Sequence, residues 1–161
     1  MKLHIENLTV TIHQSPVGRL EGMALASVAK FAAPSSIPAI GDKWPGTEAV
    51  YAGVSLSSSG DSLVHLILWD TDPKERMEHE AAVKFAEAVN PDMKSHLPTR
   101  HQSIDLLDRL ADRFEKDPWY WTLTKTPSGQ AAFIQDFDTG TQGYSDLSAE
   151  CRVRAVSEIP L

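Results

Sequence analysis

Residues 119–144 read WYWTLTKTPSGQAAFIQDFDTGTQGY. Two runs rich in aromatic and branched residues, WYWTLT and AAFIQDF, suit half-buried strands, and KTPSGQ between them carries the Pro and Gly of a turn. Alternation along the first run sends Trp119 and Trp121 to one face and Tyr120 to the other. The second run ends in Phe-Asp-Thr-Gly, the way aspartic proteases present a catalytic carboxylate. Such an enzyme needs two of these carboxylates sharing a proton. This chain has a single Asp-Thr-Gly, and the short tail after Gly140 lacks the hydrophobic-hydrophobic-Gly element that would complete the site. Asp138-Thr139-Gly140 reads instead as a turn, because Asp favours turn starts and Gly supplies positive φ.

Outward toward the N-terminus, two helical patterns precede the strands. In the first, residues 71–90, Asp72 is an expected N-cap, with Pro73 at the first helical position and Glu75 in the first turn. Met77, Ala81, Phe85 and Val89 (or Ala88) form its apolar stripe, and Asn90-Pro91 stops it. In the second, Thr99 and Gln102 have the spacing of a capping box. Ile104, Leu107, Leu110, Ala111 and Phe114 repeat behind them at helical spacing. Earlier still, AVYAGVSL and SLVHLILW read as a hairpin joined by SSSGD. Outward in the other direction, CRVRAV (151–156) alternates like a last strand. The order β-β-α-α-β-β-β is that of an α+β domain.

Residues 34–48, rich in Pro, Gly and Ser, read as a linker. They separate an N-terminal extension, 1–38, from the main domain, 39–161. The extension carries alternating apolar residues (Leu3, Ile5, then Leu8, Val10, Ile12) and a helical pattern through Leu20, Ala24, Val28 and Phe31.

The totals exclude several classes of function. The chain has 161 residues, 42% of them hydrophobic, enough for a core. No run approaches the roughly 20 apolar residues of a membrane span, so no membrane insertion is expected. The N-terminus lacks the pattern of a signal peptide, so a cytoplasmic or particle-associated location is expected. A formal net charge of −7, with no basic cluster, argues against nucleic acid as a partner. The one cysteine, Cys151, excludes an internal disulfide and a Cys-rich zinc site. Lying in an alternating run, it reads as core rather than nucleophile.

Candidate chemistry is sparse. No pair among the six histidines has the i, i+4 spacing of a helical zinc site. His96 and His101 flank a helix start and could meet one carboxylate, but a capping or solvent role suits them. The acids of DTDPKE (70–75) run into a helix and lack the Gly and distal Glu of a calcium loop. SSSGD joins strand to strand and does not cradle phosphate. No serine has a nucleophile-elbow pattern. Neither an enzyme nor a cofactor is expected.

Several pieces together resemble the C-terminal domain of collagen-like bacterial adhesins (Lcl C-terminal-like), a family common in phage and prophage proteins. They are WPG…VYAG at 44–53, HLIL at 65–68, LPTR at 97–100, WYWTLT, AAFIQDFDTGTQ and RVRAV, and they span residues 40–160. The resemblance implies a C-type-lectin-like fold, with two helices packed on a small, mostly antiparallel sheet and the first and last strands paired. It places a lectin calcium loop between WYWTLT and AAFIQDF, where six residues cannot supply the ligand set. Asn90-Pro91-Asp92 is similar to the polar-Pro-polar triplets of lectin sugar sites, but it lies between the helices, on the wrong side of the second. The formylglycine-generating enzymes of the same fold rely on a cysteine pair, which one cysteine cannot provide.

The resulting expectation is a non-enzymatic interaction module, probing a protein or surface ligand with loops on a rigid scaffold. The contact surface joins Lys125 and Gln130 of one loop to Thr141, Gln142, Tyr144 and Asp146 of the next, with Tyr144 as aromatic anchor. The other readings are a structural virion or tail component, assembling as a homo-oligomer through residues 1–38, and an inhibitor of a host enzyme.

Overall fold

The computed structural model describes residues 36–116 and 118–161. The strand and helix expected within 1–33 lie outside the described residues. Strands β1 (Ala49–Leu56) and β2 (Leu63–Trp69) are followed by helices α1 (His79–Val89) and α2 (Arg100–Leu110), then by β3 (Trp119–Lys125), β4 (Ala131–Asp136), β5 (Gln142–Asp146) and β6 (Val156–Pro160). This is an α+β domain with two three-stranded antiparallel sheets, ordered β1-β2-β6 and β3-β4-β5. The last strand pairs with β2, not with β1 as the resemblance implies. The hairpin loop folds β1 back on one side of β2, and the other side takes β6.

Two cores follow from strand alternation. Along β2, Leu66 and Leu68 enter one core with Val50, Leu106, Leu110, Phe114, Tyr120 and Phe137. Ile67 and Trp69 enter the other with Trp44, Ala82, Ala86, Trp121, Ile134 and Val153. The expected division of the WYW triplet holds: Trp119 and Trp121 face the α1 core and Tyr120 faces the α2 core. The polar ends of these buried aromatics are bonded, as burial requires. Trp121 Nε1 donates to Met77 O at 2.8 Å, Trp69 Nε1 donates to Ser157 Oγ at 2.9 Å, and Glu115 N donates to Tyr120 Oη at 3.0 Å. Part of the stretch expected as a linker belongs to this domain. Trp44 is buried, and Gly41 and Asp42 exchange backbone bonds with Tyr51.

Helix α1 starts later than the sequence suggests. Its N-cap is Glu78, which makes no side-chain capping bond. Asp72 is used elsewhere: Oδ1 accepts from Arg152 Nη2 at 2.9 Å, and Oδ2 lies 3.6 Å from Arg154 Nη1. Both arginines are buried, and the Arg154 guanidinium lies over the Phe114 ring. With its carboxylate turned to two buried cations, Asp72 does not cap the helix, and residues 70–78 run irregularly into it. The buried residues of α1 are His79, Ala82 and Ala86, while Ala81 is exposed.

Helix α2 carries the expected capping box: Gln102 N donates to Thr99 Oγ1, and Thr99 N donates to Gln102 Oε1. Capping of this kind contributes about 1 kcal/mol. Its buried residues are Gln102, Ser103, Leu106 and Leu110, and Ile104 points to solvent. The helix locks onto β1 through Arg109, whose Nη1 donates to Ala52 O and Val54 O at 3.0 and 2.8 Å. The bulge that exposes these carbonyls needs Gly53, with φ +94 and no room for a Cβ beside Arg109 Nη1.

The run 151–156 is not a strand over its length. It threads between the sheets, bridging Met77 at Cys151 and Tyr120 at Arg152, and β6 begins only at Val156. Its two arginines need the acids of 70–72 and 115, which pulls the run out of a single ladder.

Candidate functional site

Asp138-Thr139-Gly140 forms the turn of the β4–β5 hairpin, and the residue that organises it is Asp136. Asp136 Oδ1 accepts from Asp138 N at 2.8 Å, and Oδ2 accepts from Thr139 Oγ1 at 2.6 Å. The Thr139 hydroxyl is the main cause of a lowered Asp136 pKa. Asp138 itself is solvent-facing and lies 3.6 Å from Lys116 Nζ. Gly140, at φ +77, packs against Leu107 of α2. Asp138, the carboxylate in the protease-like position, is therefore an exposed turn residue, and the carboxylate that caps the hairpin is Asp136.

This tight turn also changes the setting of the expected contact residues. The segment around 141–146 is not a loop. It is β5, paired with β4 from Gln135↔Gln142 to Ala131↔Asp146. The six expected residues consequently fall at two ends of one hairpin. Lys125, Gln130 and Asp146 share the end with the 126–130 turn, which is closed by Thr126 N donating to Ala131 O. Lys125 also borders a hollow of about 590 Å³ with Glu78, Glu80, Val83 and Leu147. Thr141 belongs to the opposite turn, where its Oγ1 lies 2.9 Å from Thr139 Oγ1. Gln142 starts β5, and Tyr144 lies between the two ends.

Tyr144 is 70% exposed and directly opposite Phe133. By alternation Gln142, Tyr144, Phe133 and Gln135 share one face. The N-terminus of α2 meets that face through Arg100. Its guanidinium stacks 4.3 Å from the Phe133 ring centre, and its Nε donates to Gln142 Oε1 at 2.8 Å. Arg100 N donates to Thr124 Oγ1 at 2.9 Å, which fixes the helix start against β3. Tyr144, Phe133, Arg100 and Gln142 thus form one aromatic and polar platform. Arg100 and Phe133 were not among the expected residues, although Phe133 could have been found by carrying strand alternation across the hairpin.

The two edges of the β3-β4-β5 sheet differ. On β3, Leu123 N donates to Pro98 O and Trp121 N donates to Arg152 O, so neighbouring chain covers that edge. On β5, Asp136 N donates to Thr141 O, so by antiparallel alternation the backbone groups of Gln142 and Tyr144 point away from β4. Among the described residues these outward groups have no partner.

A second cluster lies on β6. Glu158 Oε1 accepts from Ser58 N at 2.6 Å and Gln102 Nε2 at 2.7 Å, with His96 Nε2 at 3.4 Å. Burial alone would raise the Glu158 pKa. His96, Gln102 and the Ser58 N–H more than offset that and bring it down to about 2. His96 thus meets a carboxylate from a distant strand, while His101 stays exposed. Gln102 is what joins this cluster to the capping box.

Other candidates are structural. Cys151 is buried, and burial pushes its thiol up to about 11, the wrong direction for a nucleophile. His79 Nε2 donates to Thr122 O, edge-on to Trp121, and burial lowers its pKa. Among the described residues no three His, Cys, Asp or Glu side chains are grouped to hold a metal ion, and no helix is long and apolar enough to cross a membrane. No protein-family model matches the chain, and no curated protein matches it significantly.

Proposed function

We propose that the chain is a non-enzymatic binding module that takes an extended segment of a partner protein onto the edge of β5. The observation that carries this reading is the backbone edge of β5, unpaired among the described residues, beside an exposed Tyr144, in a sheet whose other edge is covered. An unpaired edge is a template for strand addition. Such recognition takes affinity from main-chain bonds and specificity from alternate side chains. Here the side chains meeting a docked strand are Tyr144, the Arg100–Phe133 stack and Gln142. Tyr and Arg are the residue types that concentrate binding energy at interfaces.

The resemblance of 40–160 to the adhesin C-terminal domains favours binding over catalysis, and a phage- or prophage-encoded source. A C-type-lectin-like reading of the fold is supported by two helices lying with two small antiparallel sheets.

The test begins with affinity capture from a bacterial lysate and continues on the purified partner. Tyr144→Pro removes one outward N–H without touching the β4 ladder, and Tyr144→Ala removes the anchor ring. Both are expected to weaken binding by tenfold or more, on the order of a lost interface anchor, with amide exchange slowed along 142–146 in the complex. A partner that binds both variants as tightly as the parent sinks the reading.

A further inference from the structure

Opposite charges lie at the two ends of β5. At the Gln142 end is Arg100, exposed, its Nε bonded to Gln142 Oε1 and its guanidinium held over the Phe133 ring. At the other end is Asp146, also exposed. The ion pairs among the described residues include neither of them. Gln142, Tyr144 and Asp146 share the face of Phe133 by alternation. The same three residues turn their backbone groups away from β4. Gly143 and Ser145 make the ladder bonds, and Ala131 O, opposite Asp146, is taken by Thr126 N.

An edge with this pattern is complementary to itself. A second β5, turned end for end about Tyr144, lies antiparallel to the first. Tyr144 then faces Tyr144, and Gln142 faces Asp146. Main-chain bonds join the two Tyr144 residues reciprocally, and Asp146 N donates to Gln142 O at each end. Asp146 O already accepts from Ala149 N, so it is left out of this pairing. Because the side chains share a face, Asp146 of each copy meets the Arg100 guanidinium of the other, twice by symmetry. The neighbouring symmetric registers are worse. Centring on Gln142 sets the Arg100 side chains against each other, and centring on Asp146 does the same to the carboxylates. Like charges directly opposed are destabilising. Both registers also run past the ends of β5 into turns.

We propose that the strand seated on β5 is β5 of a second copy, joining two β3-β4-β5 sheets into one across a two-fold axis. This rests on the edge reading above and names the occupant. A net charge of −7 on each chain opposes association. Charges more than about 8 Å apart are largely screened at physiological salt, whereas the Arg100–Asp146 contacts lie inside that distance. Five residues a side make a small interface. It falls below the roughly 1,200 Å² of stable complexes, so the dimer forms and dissolves with concentration.

Sedimentation velocity of the full chain, from ~10 μM to ~1 mM at ~0.15 M salt, reads the assembly. Arg100→Asp and Asp146→Arg each oppose like charges at both contacts, and each is expected to weaken the dimer by about tenfold or more. An Asp suits a helix start, so Arg100→Asp leaves α2 in place. In an equimolar mixture of the two variants every contact again joins opposite charges. Dimers of one variant with the other are expected to be about tenfold tighter than either variant with itself. On the parent alone, amide shifts that move with concentration are expected at Gln142, Tyr144 and Asp146, whatever the variants do. A parent that stays monomeric, a dimer indifferent to both charge reversals, or a mixture no tighter than its components overturns the proposal. A monomeric parent whose lysate partner is lost on Tyr144→Pro removes the second copy and keeps the edge reading. A dimer and a lysate partner both indifferent to Tyr144→Pro remove both.

Discussion

Replacing Glu158 by Gln should remove a pH-dependent part of the stability, and its size follows from the carboxylate's surroundings. The side chain is 20% exposed and that of His96 is 16% exposed, so solvent screens their interaction only in part. The pKa falls from an ordinary 4.5 to about 2 in the folded chain. Each unit corresponds to about 1.4 kcal/mol, so the ionised carboxylate contributes about 3 kcal/mol to folding. Because the folded group holds its proton less tightly than the unfolded one, the contribution is complete above about 4.5. It is lost as pH falls from there toward about 2. Urea unfolding of parent and variant, read by tryptophan fluorescence, measures it. With a slope of about 2 kcal/mol per molar urea, the midpoints should differ by roughly 1.5 M near neutral pH and converge between about pH 4.5 and pH 2. Taking the difference between the two proteins cancels other carboxylates with lowered pKa, such as Asp136. A gap equally wide at pH 3 and pH 7 would refute the reasoning. So would a Glu158 carboxyl carbon that titrates near the ordinary glutamate value.

Two further outcomes test the packing around the candidate sites. Asp72→Ala should cost about 3 kcal/mol or more, because it strips the shared partner from two buried arginines. Asp70→Ala, at a carboxylate 63% exposed and 3.7 Å from Arg154, should stay below about 1 kcal/mol in the same urea assay. Equal losses would show that Asp72 is not the residue holding the arginines. Cys151, with its thiol pushed up to about 11 by burial, should react with a thiol reagent only as fast as the chain opens. Full labelling within minutes under native conditions would contradict its place in the core.

Elements whose cause is local were legible in the sequence. Alternation located β1 to β4 and divided Trp119 and Trp121 from Tyr120. The Thr99–Gln102 spacing marked the start of α2. What could not be read has causes distant in the chain. Asp72 looks like an N-cap until Arg152 and Arg154 claim it from the other end of the domain. The same arginines make 151–156 alternate like a strand while serving as a connector. The apolar stripe misplaced the buried side of α2 because two of its inward residues, Gln102 and Ser103, are polar. Gln102 is inward because it bonds at once to its own cap, to Leu56 O and to Glu158.

The candidate surface was half legible for a related reason. Tyr144 announced itself as an aromatic among polar residues, but its neighbours come from elsewhere: Phe133 across the hairpin and Arg100 from a helix start. The difference between the sheet's two edges is less legible still. QGYSD is short and contains a glycine, so β-propensity alone gives little reason to expect a strand there. It becomes one because the Asp136-centred turn delivers it to β4 in register. Among the described residues it stays an edge, because 147–155, the chain that follows it, turns instead toward Met77 and β3, where Arg152 and Arg154 are satisfied. The buried ion pairs that displaced the start of α1 thus also keep 147–155 off the edge of β5. If this link holds, Asp72→Ala should alter amide exchange at Met77 and Cys151 before it alters exchange within the β4–β5 hairpin. Loss of protection in the β4–β5 hairpin with no change at Met77 and Cys151 would refute the link between the arginine pair and the shape of the edge.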